Sequence, residues 1–202
     1  MKKIIITASL IFFLGFTNAL IAHTDTDVSA ANFLASKDII NDSRNHIPGY
    51  MLGNHITRRE MLKVMMNLSE KTFPDRCTGR FQDMRANDWG CKYAEAALAN
   101  GYITANPNFR PDDLVTQIEA LKMIMQAKGI EQQATEDWRL GYVRSAQEEN
   151  IISEQYLDFN LPALRAWIFT TSARTYDDFQ YSEPEYQLTP EEEELFRFLL
   201  DL

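Results

Sequence analysis

Trp89 and Trp138 each stand four residues before a tyrosine, Tyr93 and Tyr142. An indole face in such a place can stack on the apolar side of a sugar ring, or it can anchor a helix start by packing, which is the favoured reading for both. Cys77 and Cys91 flank the segment TGRFQDMRANDWG. A zinc site would need two further ligands, and His46 and His55 match no familiar zinc spacing, so a disulfide closing one loop is expected. Such a loop contributes roughly 3 kcal/mol by the chain-entropy argument. The side chains do not assemble into a catalytic set. No serine sits in a Gly-x-Ser-x-Gly turn, no histidine pair suits zinc, and no two of the many carboxylates are placed together for glycoside hydrolysis. A glycan-acting hydrolase is therefore the minor reading, and neither a catalytic residue, a metal nor a cofactor is expected.

These residues lie in a stretch that recurs. Phe81 to Ile130 is its fullest form, parts return around Trp138, and fainter parts return through His55 to Leu62. A repeated unit of this size rarely buries its apolar face alone, and the grooves between units carry function. In the fullest copy, Trp89 to Asn100 reads as an amphipathic helix stopped at Asn100-Gly101. The polar segment TANPNFRPDD follows as a loop. Thr116, with Glu119 three residues on, then opens a second helix whose buried side is Ile118, Leu121, Met123, Ile124 and Met125. In the third copy, Asn150-Ile151-Ile152 falls where Gly101-Tyr102-Ile103 stood, and LPALRAWIFTTSAR supplies the second helix, with Pro162 in its first turn. The first copy offers Phe33 to Ile40 and His55 to Leu68, where Met61, Met65 and Met66 are core filling. The array runs over 23–175, with copies at about 30–71, 77–130 and 134–175.

Lys2 and Lys3, an apolar run from Ile4 to Phe16, and small residues at Ala19 and Ala22 have the layout of a secretory signal peptide over residues 1–22. The run is shorter than the ~20 residues needed to span a bilayer. No cysteine follows it to carry a lipid, and an exported protein is expected. Cleavage after Ala22 would leave His23 as an N-terminal copper chelator only if a second histidine were well placed, and cleavage after Ala19 would abolish the site. The formal charge of −9 becomes −11 once Lys2 and Lys3 are removed. Residues 176–202 carry nine acidic side chains against Arg197, a net of −8, so this acidity is concentrated in the tail. Nucleic acid, which selects lysine and arginine clusters, is excluded as a partner. The tail begins as a mixed acidic and aromatic strap. Thr189-Pro190-Glu191-Glu192 then starts a short apolar helix, which either docks on the array or engages an envelope protein partner.

FQD, a following DW, a helix ending NGYI, then FRP and a V-T-x-x-E helix start together resemble the S-layer homology repeat. The middle copy carries the resemblance at Phe81, Asp83, Trp89, Gly101, Phe109, Pro111, Thr116 and Glu119. The first carries it at Ile56, Thr57, Arg58 and Glu60, and the third at Trp138, Tyr142 and Ile152. The resemblance implies an all-α fold of three helix-loop-helix repeats around a pseudo-threefold axis, here with a short C-terminal helix added. It also implies a non-catalytic, cell-surface protein that binds a cell-wall glycan or secondary wall polymer through inter-repeat grooves. In that family the arginine after the threonine holds an anionic ligand. Carried over, Arg58 keeps it beside Thr57, the middle copy has Gln117, and the third has Ala163, with Pro162 in place of the threonine. Arg59, Arg165 and Lys122 are the available compensators. Ligand binding is thus expected at Arg58, Thr57, Trp89, Gln117 and Trp138, with an ordinary surface ion pair from Arg58 to Glu60 as the even alternative.

Overall fold

The computed structural model describes residues 25–46, 49–153 and 157–180. Helices α1 (Asp25–Ser36), α2 (Arg58–Leu68), α3 (Cys91–Ala99), α4 (Gln117–Lys128), α5 (Trp138–Glu148) and α6 (Arg165–Ala173) make up its regular structure. The fold is all-α, and among the described residues the only β-type pairings are three isolated bridges. The leader expected at 1–22, His23 and the helix expected after Thr189 lie outside the described residues.

The second helix of each unit packs on the first helix of the next. α2 packs on α3, α4 on α5, and α6 closes back on α1, while α4 also contacts α2 and α6. This is the expected solution for units that cannot bury their own apolar faces. The entry segments of α2, α4 and α6 are tied to one another by a closed set of backbone hydrogen bonds. Ile56 N–H donates to the Ala163 carbonyl, Ala163 N–H to that of Val115, and Val115 N–H to that of Ile56, at 3.3, 2.8 and 3.2 Å. All three residues are fully buried. A second set runs in the opposite sense: Arg58 N–H donates to Asp113, Gln117 N–H to Leu161 and Arg165 N–H to Asn54, at 2.9, 2.9 and 2.8 Å. The main core gathers Leu34, Ile56, Met65, Ile124 and Phe169, and a second cluster around Leu121, Met125 and Ile151 binds α5 to α4.

Local chemistry sets the helix ends. Thr57 N–H and Oγ1 both donate to Glu60 Oε2, at 2.9 and 2.8 Å, and Thr116 N–H donates to Glu119 Oε2 at 3.0 Å, so α2 and α4 start on capping boxes. The first helix of each unit ends on a left-handed residue: Asp38 (φ 57°), Gly101 (φ 73°) and Asn150 (φ 56°). In each case the next N–H returns to a carbonyl five residues back, by Ile39, Tyr102 and Ile151. Asp38 thus ends α1 at Ser36, so the first helix is Asp25–Ser36 rather than Phe33 to Ile40, and Ile39 and Ile40 are buried in the turn that follows. Trp89 precedes α3 instead of opening it, because Gly90 N–H donates to Asp88 Oδ1 at 2.8 Å.

The largest correction concerns the third copy. Pro162 is not in the first turn of a helix. It bridges Thr116, Leu164 is the N-cap, and α6 starts at Arg165. The ring bonds of Ala163 draw the preceding residues into extended pairing, which overrides the local preference of proline for a first turn. Leu164 therefore occupies the place of Thr57 and Thr116, and Arg165, not Ala163, occupies the place of Arg58 and Gln117.

Cys77 and Cys91 form the expected disulfide, with Cα atoms 5.5 Å apart. Beside it the Glu95 carboxylate accepts from the N–H groups of Thr78 and Arg80, each at 2.8 Å, which fixes the loop onto α3.

Gly141, inside α5, has a packing reason. A Cβ there would lie 2.4 Å from the Gln133 carbonyl oxygen, a backbone atom. Alanine would gain up to about 1 kcal/mol in helix propensity, but pushing the backbone aside costs about 1–3 kcal/mol. Gly141→Ala should therefore lower stability in a urea melt, and a rise in the midpoint would contradict this packing.

Candidate functional site

One cleft of about 250 Å³ brings together residues from α2, α4, α5 and the loop after α3. Arg58 comes from the first turn of α2, Lys122 and Gln126 from α4, Asn106 and Asn108 from the loop after α3, and Trp138 from the start of α5. Arg58 Nε donates to the Phe109 carbonyl at 3.0 Å, and its guanidinium carbon lies 5.0 Å from the centre of the Phe109 ring. That grip holds the stem and leaves the guanidinium's outer donors. Among the described residues no carboxylate lies within ion-pairing distance of Arg58. The expected alternative, an ion pair with Glu60, is not formed: Glu60 Oε1 faces Arg165 instead. Burial pushes the Arg58 guanidinium down from its ordinary value, Glu119 opposes that shift, and arginine stays charged throughout. Lys122 Nζ sits 5.1 Å from the centre of the Trp138 ring, which is 43% exposed and edge-on to Tyr142.

The loop that floors this cleft is held by Asp83. Its Oδ1 accepts from Phe109 N–H at 2.8 Å and its Oδ2 from Arg110 N–H at 2.6 Å. Burial raises the Asp83 pKa, but these two N–H groups outweigh it and hold the carboxyl below its ordinary range. A depressed carboxyl stabilises fully above its unfolded pKa and loses that contribution as pH falls through the folded value. Amide exchange of residues 104–110 should accordingly rise relative to the intrinsic rate of an unprotected amide on acidification in the wild type. In Asp83→Asn it should be fast already at neutral pH, and an unchanged exchange rate in that variant would remove Asp83 from this role.

A second cleft, of about 370 Å³, repeats the arrangement one copy on, with Arg165 from α6, Glu60 and Lys63 from α2, and Trp89 before α3. Arg165 Nε donates to the Tyr50 carbonyl at 2.9 Å, as Arg58 does to Phe109. Here, however, the charges are spent internally. Arg165 pairs with Glu60 at 3.4 Å, and Lys63 Nζ donates to Asn41 Oδ1 at 2.8 Å. At the third place, Gln117 stands where the arginine would be and Trp167 where Glu60 and Glu119 stand.

Of the sequence-derived candidates, the structure puts Arg58 and Trp138 in one cleft and Trp89 in the other. Trp89 and Trp138 are 48% and 43% exposed, so their rings face solvent as well as packing on tyrosines. Thr57 is taken up by its cap, and Gln117 lines neither cleft. Arg59 bridges Asp88 and Asp112 at 2.8 and 2.6 Å and so clamps the copies rather than compensating in a groove. Asn106, Asn108 and Gln126 escaped the sequence reading; only the three-dimensional register of the copies gathers them around Arg58.

These features define a small helical module with a tryptophan-edged cleft that holds Arg58, Lys122 and Glu119. Residues 80–121 match the family model of the S-layer homology domain, so that stretch of the chain is similar to this domain. That domain type is a cell-wall-binding module of the cell surface. The matched span holds Asp83, Trp89, Phe109, Thr116 and Glu119. No curated protein matches this chain.

Proposed function

We propose that this is an exported, non-catalytic envelope protein that binds an anionic cell-wall carbohydrate, a secondary wall polymer or peptidoglycan-linked glycan, in the cleft of Arg58, Lys122 and Trp138. The observation that carries the reading is the half-buried Arg58 guanidinium, held by Phe109 and, among the described residues, without a carboxylate within ion-pairing distance, although Glu119 lines the same cleft. A guanidinium offers paired donors to a carboxylate or phosphate, and the exposed indole beside it offers a face to a sugar ring. Asn106, Asn108 and Gln126 add side-chain amides suited to hydroxyl groups. Thr57 acts indirectly, by capping the helix whose first residue is Arg58.

The closed hydrogen-bond sets through Ile56, Val115 and Ala163 support three repeats around a pseudo-threefold axis. On this reading the three inter-repeat places are unequal. The Arg58 cleft binds, the Arg165 cleft is weakened by its own Glu60, and the Gln117 place has lost its charge. The leader at 1–22 is removed after Ala19 or Ala22 on export.

The test is co-sedimentation of the purified protein with wall sacculi, before and after chemical removal of their anionic substituents. The protein should sediment with the first and stay in solution with the second. Failure to sediment with intact sacculi at any salt concentration would refute the proposal.

A further inference from the structure

On α3, away from both clefts, lies a groove of about 330 Å³ floored by Pro74, Ala96 and Leu98 and rimmed by Arg76, Arg80 and Lys92, with the Glu95 carboxylate in its wall turned to the loop's N–H groups. Its wall is rigid by construction. The Cys77–Cys91 disulfide and the bonds from Thr78 and Arg80 to Glu95 hold the loop against the helix. Lys92 is neutralised by Asp75. Arg76 and Arg80 are exposed, and among the described residues neither has a carboxylate within ion-pairing distance. Free guanidiniums beside an apolar floor, in a chain of net charge −9, select an occupant that is both apolar and acidic.

The chain itself carries such a segment at 189–202. At helical spacing Glu191, Glu194, Leu195, Phe198, Leu199 and Leu202 share one face, acidic at its start and apolar beyond. The described chain ends at residue 180, where Phe179 packs on Phe33 and Asp178 pairs with Lys37 at 2.6 Å. From that corner a run of contacts leads toward the groove. Asn67 donates to the Ile39 carbonyl, Lys71 lies over the Tyr102 ring, and Leu98 is one turn before Tyr102. Residues 181–188 can bridge up to about 27 Å when extended.

We propose that residues 189–202 dock in cis across this groove, with Glu191 and Glu194 on Arg76 and Arg80 and the leucine and phenylalanine side chains on Leu98 and Ala96. This docking is independent of glycan binding. Its test is hydrogen exchange on the full chain, comparing wild type with E191K/E194K, R76E/R80E and the combination of all four substitutions. Each charge-reversed pair should speed exchange of residues 96–99 and 195–202 about tenfold, the equivalent of a docking equilibrium shifted by one decade. The combination, which restores opposite charges, should recover most of the protection. Exposed substitutions of this kind leave the fold intact, and an unchanged thermal midpoint checks this. Unaltered exchange in the pairs, no recovery in the combination, or protection that rises with protein concentration, as a second copy would produce, would each overturn docking in cis.

Discussion

Arg58→Ala should weaken binding to wall sacculi by about 10- to 100-fold. A hydrogen bond to a charged group contributes about 1.5–3 kcal/mol, and each 1.4 kcal/mol is tenfold in affinity. Arg58 is the cleft's guanidinium and has no described carboxylate within ion-pairing distance, so its loss removes the grip on the anion and leaves only the contacts of Lys122, Trp138 and the amides. The fold should survive, because Arg58 bonds a single carbonyl and α2 keeps its Thr57–Glu60 cap. Arg165→Ala in the same assay should cost far less, since Arg165 already answers to Glu60. Equal losses at the two arginines, or none at Arg58, would contradict the inequality of the clefts.

Leu121→Ala should destabilise the protein by about 2–5 kcal/mol, the usual range for a buried leucine truncated to alanine. Leu121 is fully buried in the cluster with Met125, Tyr142 and Ile151, where α4 meets α5. α4 also contacts α2 and α6, so the truncation falls on a helix with three helical neighbours. Against a total stability of about 5–15 kcal/mol the loss is large, and it should lower Tm by roughly 10 °C in calorimetry. A shift of only a degree or two would mean that α5 is not an integral part of the array.

The parts of this fold written in local chemistry could be read from the sequence. Thr116 and Glu119 announce a helix start because one side chain answers the backbone of the other three residues away. Gly101 announces a stop, and Asn150 could be matched to it because asparagine also tolerates the left-handed conformation. Cys77 and Cys91 announce their bond by proximity. The start of α6 could not be read in this way. Pro162 satisfies the local rule for a first turn, but the hydrogen bonds of Ala163 to Ile56 and Val115 reach across about fifty to a hundred residues of chain and decide otherwise. That displaced register hid Arg165 as the counterpart of Arg58.

The site shows the same division. Arg58 and Trp138 could be picked out singly, as a guanidinium and an indole in the right kinds of segment. Their meeting could not, because it depends on Lys122 of the middle copy lying between an arginine of the first and a tryptophan of the third. Glu60 illustrates the point in reverse. Sequence proximity suggested a pair with Arg58, whereas the packing of α6 near α2 delivers Arg165 to it.

The most direct test is an indole-resolved NMR titration of the protein with solubilised anionic wall glycan. Trp138 should shift first, at glycan concentrations that leave Trp89 and Trp167 unmoved, and the shift should vanish in Arg58→Ala. An unmoved Trp138 at saturating glycan, or a response confined to Trp89 or Trp167, would contradict binding in the Arg58 cleft.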